Sequence, residues 1–233
     1  MTAQAAVPGG GFRAGGRLEW YGTVLASGLV PLFYHGDAAV AGAVARALVD
    51  GGAATVEFTN RGPGALRVFQ ELAEQSALRD AVSLGVGSVI DAPTAALFIA
   101  AGARFVVSPS FSAEVARLCN RRKIPYLPGC ATPTEISTAE EWGAEIVKIF
   151  PGKMGGPAFI KDLLGPMPWS RLMPTGGVRL SAENLREWFA AGACCVGMGG
   201  DLVRAELVAA GDYAAITANV GTALRLIEDA RGR

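Results

Sequence analysis

The chain has 233 residues, of which 51% are hydrophobic, 18% charged and 8% aromatic. An apolar fraction of this size can fill a sizeable core, which excludes a largely disordered chain. Lysine plus arginine and aspartate plus glutamate each total 21, so the chain lacks the basic excess that is typical of nucleic-acid-binding proteins. No uninterrupted apolar run of about 18 residues occurs in the sequence, which argues against a membrane-spanning helix.

The N-terminal segment and the cysteines give information about the cellular location of the protein. Residues 1–16 are rich in glycine and alanine and lack a basic stretch followed by an apolar run, so we predict a flexible tail and no secretory signal. The four cysteines, two of them adjacent (Cys194 and Cys195), do not have the pattern of a disulfide framework. We therefore expect a cytoplasmic protein with one folded domain over residues 17–233.

Short apolar runs alternate with amphipathic helical patterns along this domain. The runs predict strands at residues 30–34, 55–59, 83–87, 105–109, 125–129, 146–151, 172–176 and 194–198. The helical patterns cover residues 37–50, 63–75, 92–101, 112–122, 133–142, 157–164 and 182–191. This alternation predicts an α/β fold with a parallel sheet, and eight strands favour a (β/α)8 TIM barrel. A doubly wound open sheet is the alternative, but the glycine-rich dinucleotide loop it would need is missing after the first strand.

Turn residues support these boundaries. A Gly-Ala pair precedes four of the strands, and glycine there suits the left-handed conformation that ends a helix. These glycines are Gly52, Gly102, Gly143 and Gly192. Thr132, Pro133 and Glu135 have the pattern of a capping box at a helix start.

Two charged residues interrupt predicted strands. Lys148 lies among apolar neighbours in the sixth strand, and Glu57 lies between Val56 and Phe58 in the second. Because strand side chains alternate, Val56 and Phe58 should face the helices and Glu57 the barrel interior. Burial of an unpaired charge is costly, so the two groups could satisfy each other as an ion pair. They could also act as nucleophile and acid/base, since a neutral amine can attack a carbonyl and form a Schiff base.

Further candidates follow the second and third strands. Arg61, just beyond Glu57, could hold a substrate carboxylate by bidentate contact, or it could be a solvated loop arginine. Gly85 and Gly87 would let the backbone approach a ligand, and the Ser88 hydroxyl could hydrogen-bond it.

Glycine-rich turns follow the seventh and eighth strands. They contain Thr175, Gly176 and Gly177 in the first turn, and Gly199 and Gly200 in the second. Turns that lead into helix N-termini present backbone N–H groups to an anion, and barrels often bind phosphate with these two loops. Tight turns without a ligand are the alternative.

The remaining polar and aromatic residues carry less chemistry. His35 is the single histidine, so it cannot make a zinc site by itself, and we expect a structural or pocket-lining role. Cys130 is expected to be a small buried apolar residue. Met154, Trp169 and Trp188 are expected to be packing residues.

Four segments occur together in one order: residues 56–61 (VEFTNR), 84–88 (LGVGS), 147–151 (VKIFP) and 174–177 (PTGG). Over about residues 20–230 the chain resembles the 2-keto-3-deoxy-6-phosphogluconate / 2-keto-4-hydroxyglutarate (KDPG/KHG) aldolase family of class I aldolases. The resemblance implies a (β/α)8 barrel, a homotrimer, and no metal or other cofactor. It also implies cleavage of a 2-keto acid to pyruvate and an aldehyde, either glyceraldehyde 3-phosphate or glyoxylate.

The resemblance implies a role for each matching residue. Lys148 corresponds to the Schiff-base lysine and Glu57 to the general acid/base. Arg61 corresponds to the arginine that holds the pyruvate carboxylate. Ser88 stands where the family usually has threonine and keeps a hydroxyl for the same carboxylate.

The resemblance also covers the rest of the pocket. Phe150 and Pro151 match the pocket wall beside the lysine. Thr175 and the glycines at 176 and 177 match residues at the distal end of the substrate. Phosphosugar-cleaving members commonly have serine where this chain has Gly200, and Asp201 follows it, so phosphate specificity stays open. Lys153 could contact a substrate anion.

The sequence therefore predicts a pyruvate-dependent class I aldolase, a lyase. A phosphosugar isomerase on the same barrel would share the phosphate loops without needing a Schiff-base lysine. A non-catalytic ligand-binding barrel is the third possibility, and the joint presence of Lys148, Glu57 and Arg61 argues against it.

Overall fold

The computed structural model describes residues 16–232, so the predicted tail lies outside the described residues apart from Gly16. The helices are α1 (Arg17–Ser27), α2 (Ala38–Asp50), α3 (Ala65–Glu74), α4 (Ser76–Arg79), α5 (Ala92–Ala100), α6 (Ala113–Arg122), α7 (Pro133–Glu141), α8 (Gly156–Leu164), α9 (Ala182–Ala190), α10 (Ala205–Ala210) and α11 (Tyr213–Ala230). The strands are β1 (Leu29–Phe33), β2 (Thr55–Thr59), β3 (Ser83–Gly87), β4 (Val106–Val107), β5 (Tyr126–Leu127), β6 (Gly129–Cys130), β7 (Val147–Ile149), β8 (Leu172–Pro174) and β9 (Val196–Met198). Across residues 16–232, every helix is too short or too polar to cross a membrane.

The strands form a curled parallel sheet in two hydrogen-bonded sections. One section has the order β5-β4-β3-β2-β1-β9, and the other has the order β6-β7-β8. The predicted fifth strand is split into β5 and β6 at Pro128, which has no N–H to donate to a ladder. Thr175 and Gly197 form an isolated parallel bridge between the sections. The structure thus confirms the α/β class with a parallel sheet, while a closed barrel of eight strands stays a prediction.

An outer core lies between the strands and the helices. Val56 and Phe58 of β2 are fully buried in it, as their alternation with Glu57 predicts. The Phe58 ring lies 6.3 Å from that of Phe69 on α3, and the Phe69 ring lies 5.2 Å from that of Phe98 on α5. The helices therefore cover the outward-facing side chains of the strands, which leaves the opposite side of β2 for Glu57.

A second core, here called the inner cluster, lies on the other side of the strands. Its residues on the strands, or at the position just before a strand, are Val30, Phe105, Val107, Leu127, Ile146, Met173 and Cys195. Helix α1, which the sequence analysis did not predict, inserts Trp20, Tyr21 and Val24 into this cluster. The Trp20 ring lies 4.6 Å from the Phe105 ring. Because α1 immediately precedes β1, it packs against the amino ends of the parallel strands.

The predicted turn chemistry is confirmed. The four glycines of the Gly-Ala pairs all have positive φ, between 84° and 107°. Thr132 and Glu135 form a complete capping box, with proline at the first turn of α7. Trp188 is buried as predicted. Met154 and Trp169 are 76% and 67% exposed, so the prediction that they pack is wrong. Met154 ends a short 3-10 helix (Gly152–Met154) after β7, and Trp169 lies in the turn after α8.

Candidate active site

Glu57 and Lys148 meet on the inner side of the sheet. Glu57 pairs in register with Gly85 of β3, and Lys148 pairs with Gly129 of β6. The Lys148 Nζ lies 4.0 Å from the Glu57 Oε1. Glu57 is 1% and Lys148 5% exposed. Two residues that are 91 positions apart in the sequence thus form a buried charge pair at one place in the sheet.

Neighbouring glycines make room for this pair. A Cβ on Gly87 would overlap the Glu57 carboxylate, and a Cβ on Gly85 would overlap the Phe105 ring. That both glycines also let the backbone approach a ligand stays a prediction. They accommodate side chains of the protein, and Gly87 is needed for the position of Glu57.

Two buried oxygens at the site have no hydrogen-bond partner within residues 16–232. They are the Glu57 Oε2 and the Thr175 Oγ1, and Thr175 is 6% exposed. A buried acceptor or hydroxyl is costly when unpaired. The site is therefore suited to a small polar ligand that supplies the missing partners.

Arg61 and Ser88 follow the carboxyl ends of β2 and β3, the ends near Glu57. Arg61 is exposed, and its guanidinium has no hydrogen bond or ion pair with the part of the chain that the structure describes. Ser88 is half-buried and has the unusual φ of 60°. The hydroxyl end of Tyr34 occupies the space that a Cβ on Gly62 would fill. Tyr34 thus packs against the loop that carries Arg61.

The chain after Lys148 lines the same end of the sheet. The Lys148 Nζ lies 5.1 Å from the centre of the Phe150 ring, within the range of a cation–π contact. Phe150 and Pro151 are half-buried and joined by a cis peptide bond. The Gly152 N–H donates a 2.8 Å hydrogen bond to the Thr175 carbonyl oxygen. This bond ties the turn after β7 to the turn after β8.

The first glycine loop follows β8. Gly176 and Gly177 both have a φ of +86°, a conformation that residues with a Cβ rarely adopt. A Cβ on Gly177 would lie within 3.3 Å of the Cβ, Cα and N atoms of Lys153, and Lys153 itself is exposed. Helix α9 begins at Ala182. The helix thus begins where the sequence pattern places it, and anion binding by this loop stays a prediction.

The second glycine loop follows β9 and is tied to the first. The Asp201 Oδ2 accepts a 2.9 Å hydrogen bond from the N–H of Leu180. Gly200 is exposed, and a Cβ there would meet nothing within 4 Å. Four residues, 201–204, separate Gly200 from helix α10, which begins at Ala205. Sequence reasoning missed the link made by Asp201, although an acid beside a glycine turn is a common acceptor for backbone N–H groups.

The surroundings of His35 and Cys130 indicate structural roles for both residues. The His35 Nδ1 accepts the N–H of Asp37 at 3.1 Å at the start of α2. Burial raises the pKa of the Cys130 thiol to about 12, in line with a buried apolar role. Among residues 16–232, no three side chains of histidine, cysteine, aspartate or glutamate are grouped to hold a metal ion.

Comparison with known proteins adds to this geometry. The family model described as KDPG and KHG aldolase matches residues 23–219. A 2-dehydro-3-deoxy-phosphogluconate aldolase from Treponema pallidum is 37% identical over 185 residues, which are 79% of this chain and 86% of that protein. A 2-dehydro-3-deoxy-6-phosphogalactonate aldolase from Escherichia coli is 34% identical over 160 residues, covering 68% and 76% of the two chains.

A solved structure shows the same likeness. The KDPG aldolase from Legionella pneumophila, with pyruvate captured as a covalent carbinolamine intermediate, superposes with a TM-score of 0.79 at 28% identity. The match covers 86% of this chain and 96% of that one. The likeness therefore extends through nearly the whole described fold.

Proposed function

The chain belongs to the KDPG and KHG aldolase family, and we propose that it cleaves a 2-keto-4-hydroxy acid to pyruvate and an aldehyde through a Schiff base on Lys148. The observation that carries the proposal is the 4.0 Å separation between the Lys148 Nζ and the Glu57 Oε1. A buried amine beside a buried carboxylate supplies a nucleophile and a proton acceptor at one point. The Legionella pneumophila relative, with its carbinolamine, supports the same chemistry.

The proposed reaction starts with attack of the neutral Lys148 amine on C2 of the substrate. Loss of water from the carbinolamine gives an iminium ion. Glu57 then takes the proton of the C4 hydroxyl, the C3–C4 bond breaks, and its electron pair forms an enamine. Glu57 returns the proton to C3 after the aldehyde departs. Water hydrolyses the second iminium ion, which releases pyruvate and restores the amine.

Other residues would bind the substrate. The exposed, unpartnered guanidinium of Arg61 suits the pyruvyl carboxylate, because arginine binds carboxylates in a bidentate manner. The hydroxyl of Ser88 would donate to the same carboxylate. Phe150 and Pro151 would form the wall beside the Schiff base.

The distal end of the substrate would lie at the two glycine loops. Thr175, with its unpartnered hydroxyl, and Gly176, Gly177, Gly199 and Gly200 line this region in the proposal. Its backbone N–H groups and the nearby Lys153 would bind an anionic end, which is a phosphate in KDPG or a carboxylate in KHG. The relatives named for the phosphogluconate and phosphogalactonate substrates support a phosphate.

The Gly200→Ser variant distinguishes these substrates. Gly200 has space for a side chain, so a serine can add one hydroxyl donor without a clash. We expect kcat/KM for KDPG to rise about tenfold or more, since one hydrogen bond to a charged group contributes about 1.5 kcal/mol or more. The value for KHG should change less. Equal changes for both substrates would argue against a phosphate site at this loop.

Borohydride trapping with pyruvate tests the mechanism. Reduction of the imine should add one pyruvyl group, seen by intact mass and located on Lys148 by peptide mapping. The Lys148→Ala variant should lose the adduct and about 10⁴-fold or more of the aldolase activity, whereas Lys161→Ala, on the exposed side of α8, should keep both. A folded protein that forms no adduct would overturn the proposal and direct attention to phosphosugar isomerase assays.

We also infer that the two sections of the sheet close into one barrel of eight strands. The parallel bridge between Thr175 and Gly197, and the 3.0 Å hydrogen bond from the Cys194 N–H to the Leu172 carbonyl oxygen, support closure between β8 and β9. At the other junction only Pro128 separates β5 from β6. A crystal structure tests this closure, and sedimentation velocity tests the homotrimer that the family resemblance implies.

A further inference from the structure

Two adjacent thiols lie immediately before β9, and Cys195 shares the apolar inner cluster with Ile146, two residues before Lys148. Cys195 is fully buried in the inner cluster, and Cys194 is half-buried at a bend that precedes the strand. Because of this bend the two side chains do not alternate as they would within a strand. Their Sγ atoms lie 3.7 Å apart. The two sulfur atoms are therefore close enough to bind the same atom of a ligand.

Cys194 also opens onto the surface. It lines a groove of about 470 Å³ together with Leu25, Phe189, Ala193, Ala230 and Arg231. The Arg231 guanidinium forms one wall, since it donates hydrogen bonds to the carbonyl oxygens of Leu25 and Cys194 and lies 4.7 Å from the centre of the Phe189 ring. Half-buried Cys194 thus borders a solvent-open groove that has an aromatic surface.

We propose that Cys194 and Cys195 form a chelating site for trivalent arsenicals of the type R–As(OH)2. Soft sulfur ligands favour soft centres of this kind. Two As–O bonds and two S–H bonds break, two As–S bonds form, and two water molecules leave while arsenic stays trivalent. No oxidant or reductant takes part. The organic group R would lie in the groove against Phe189.

The order of the two steps follows from burial. Cys194 borders the groove and is half-buried, so in the proposal it reacts before the fully buried Cys195. The hydrogen bond with Cys194 and burial raise the pKa of the Cys195 thiol, so this sulfur stays protonated until the bound arsenic is held beside it. The second bond is then intramolecular and is favoured by proximity.

The other two cysteines provide internal controls. Cys119 on α6 and Cys130 on β6 are both buried, and burial raises the pKa of each thiol to about 12. Neither is adjacent to another cysteine in the sequence. They can offer at most single sulfur ligands, and a monothiol adduct of an arsenical is readily displaced by other thiols.

Phenylarsine oxide, which hydrates to a phenyl–As(OH)2 species, tests the proposal on the reduced full-length protein. We expect one adduct per chain, the loss of two titratable thiols, and an arsenic-bearing peptide that contains both Cys194 and Cys195. The adduct should survive excess glutathione and be removed by 2,3-dimercaptopropanol. Cys194→Ser should abolish this glutathione-resistant adduct, while Cys119→Ala and Cys130→Ala should keep it.

The arsenical-binding results can be interpreted independently of protein folding and of the proposed aldolase activity. Cys194 is half-buried, so its serine variant is the primary test, and circular dichroism checks that it folds. Cys195→Ala provides a second variant at the buried position. A wild-type protein that forms no adduct, an adduct that consumes one thiol, or a folded Cys194→Ser variant that keeps the adduct would each overturn the proposal. Pyruvate trapping on Lys148 is measured independently of arsenic.

Discussion

The two ends of the strands carry opposite chemistry on the same side of the sheet. Ile146 and Lys148 are two residues apart and share one face of the chain at β7. Ile146 belongs to the inner cluster, which also contains Trp20 of α1, whereas Lys148 faces Glu57. The apolar end is closed by a helix, and the polar end is bordered by loops. The comparison indicates that the apolar inner cluster stabilises the sheet. The neighbouring positions can therefore hold the Lys148–Glu57 pair, whose burial would otherwise be costly.

The largest expected effect lies at the polar end. Glu57→Gln keeps the size of the side chain but removes the proton acceptor, so we expect kcat to fall by about 10²–10⁴-fold. Steady-state cleavage assays measure it. The matched control is Glu71→Gln, an exposed partner of Arg67 on α3, which should leave kcat unchanged. A Glu57→Gln enzyme with normal kcat would remove Glu57 from the proposed mechanism.

At the apolar end the effect should fall on stability. Trp20→Ala leaves a cavity beside Phe105 and should cost about 3–5 kcal/mol of unfolding free energy, measured by urea denaturation. The folded fraction should still trap pyruvate on Lys148. Trp169→Ala, at an exposed turn, should change stability by less than about 0.5 kcal/mol. Loss of trapping in folded Trp20→Ala would show that the two ends are not separable.

A substitution between the two ends should affect both properties. Gly87→Ala forces the new methyl group against the Glu57 carboxylate, so we expect a stability loss of about 1–3 kcal/mol and a lower kcat. Thermal unfolding measures the stability loss, and the cleavage assay measures kcat. Gly22→Ala, where a Cβ on α1 meets nothing within 4 Å, should instead stabilise the protein by up to about 1 kcal/mol. An active, stable Gly87→Ala protein would contradict the packing argument.

The smallest expected effect lies outside both ends, at the start of α7. The backbone N–H of Ala131 and the Thr132 hydroxyl lower the pKa of Glu135 below its ordinary value of 4.5. A lowered folded-state pKa contributes stability above pH 4.5 that is lost as the pH falls through the folded value. Glu135→Gln should therefore cost a few tenths of a kcal/mol at pH 7, because the group is exposed. The cost should shrink in thermal unfolding as the pH is lowered from 7 to 3; a constant difference would exclude this origin.

Local patterns were sufficient for much of the fold. The turn glycines, the Thr132 capping box and the outward orientation of Val56 and Phe58 were all predicted and are confirmed. Such features depend on a few neighbouring residues and on strand periodicity. Helix α1 was missed because its apolar residues Trp20 and Tyr21 gain a partner only when the amino ends of distant strands assemble.

The sequence alone determined the candidate chemistry of the site, because Lys148 and Glu57 are conspicuous as charges within apolar strands. Only the tertiary structure decided that their side chains lie 4.0 Å apart. It also decided that Gly87 makes room for the carboxylate and that Asp201 links the two glycine loops. A side chain's identity and the face it occupies are local properties of the chain, whereas separation, overlap and pairing depend on strands brought together from distant parts of the sequence.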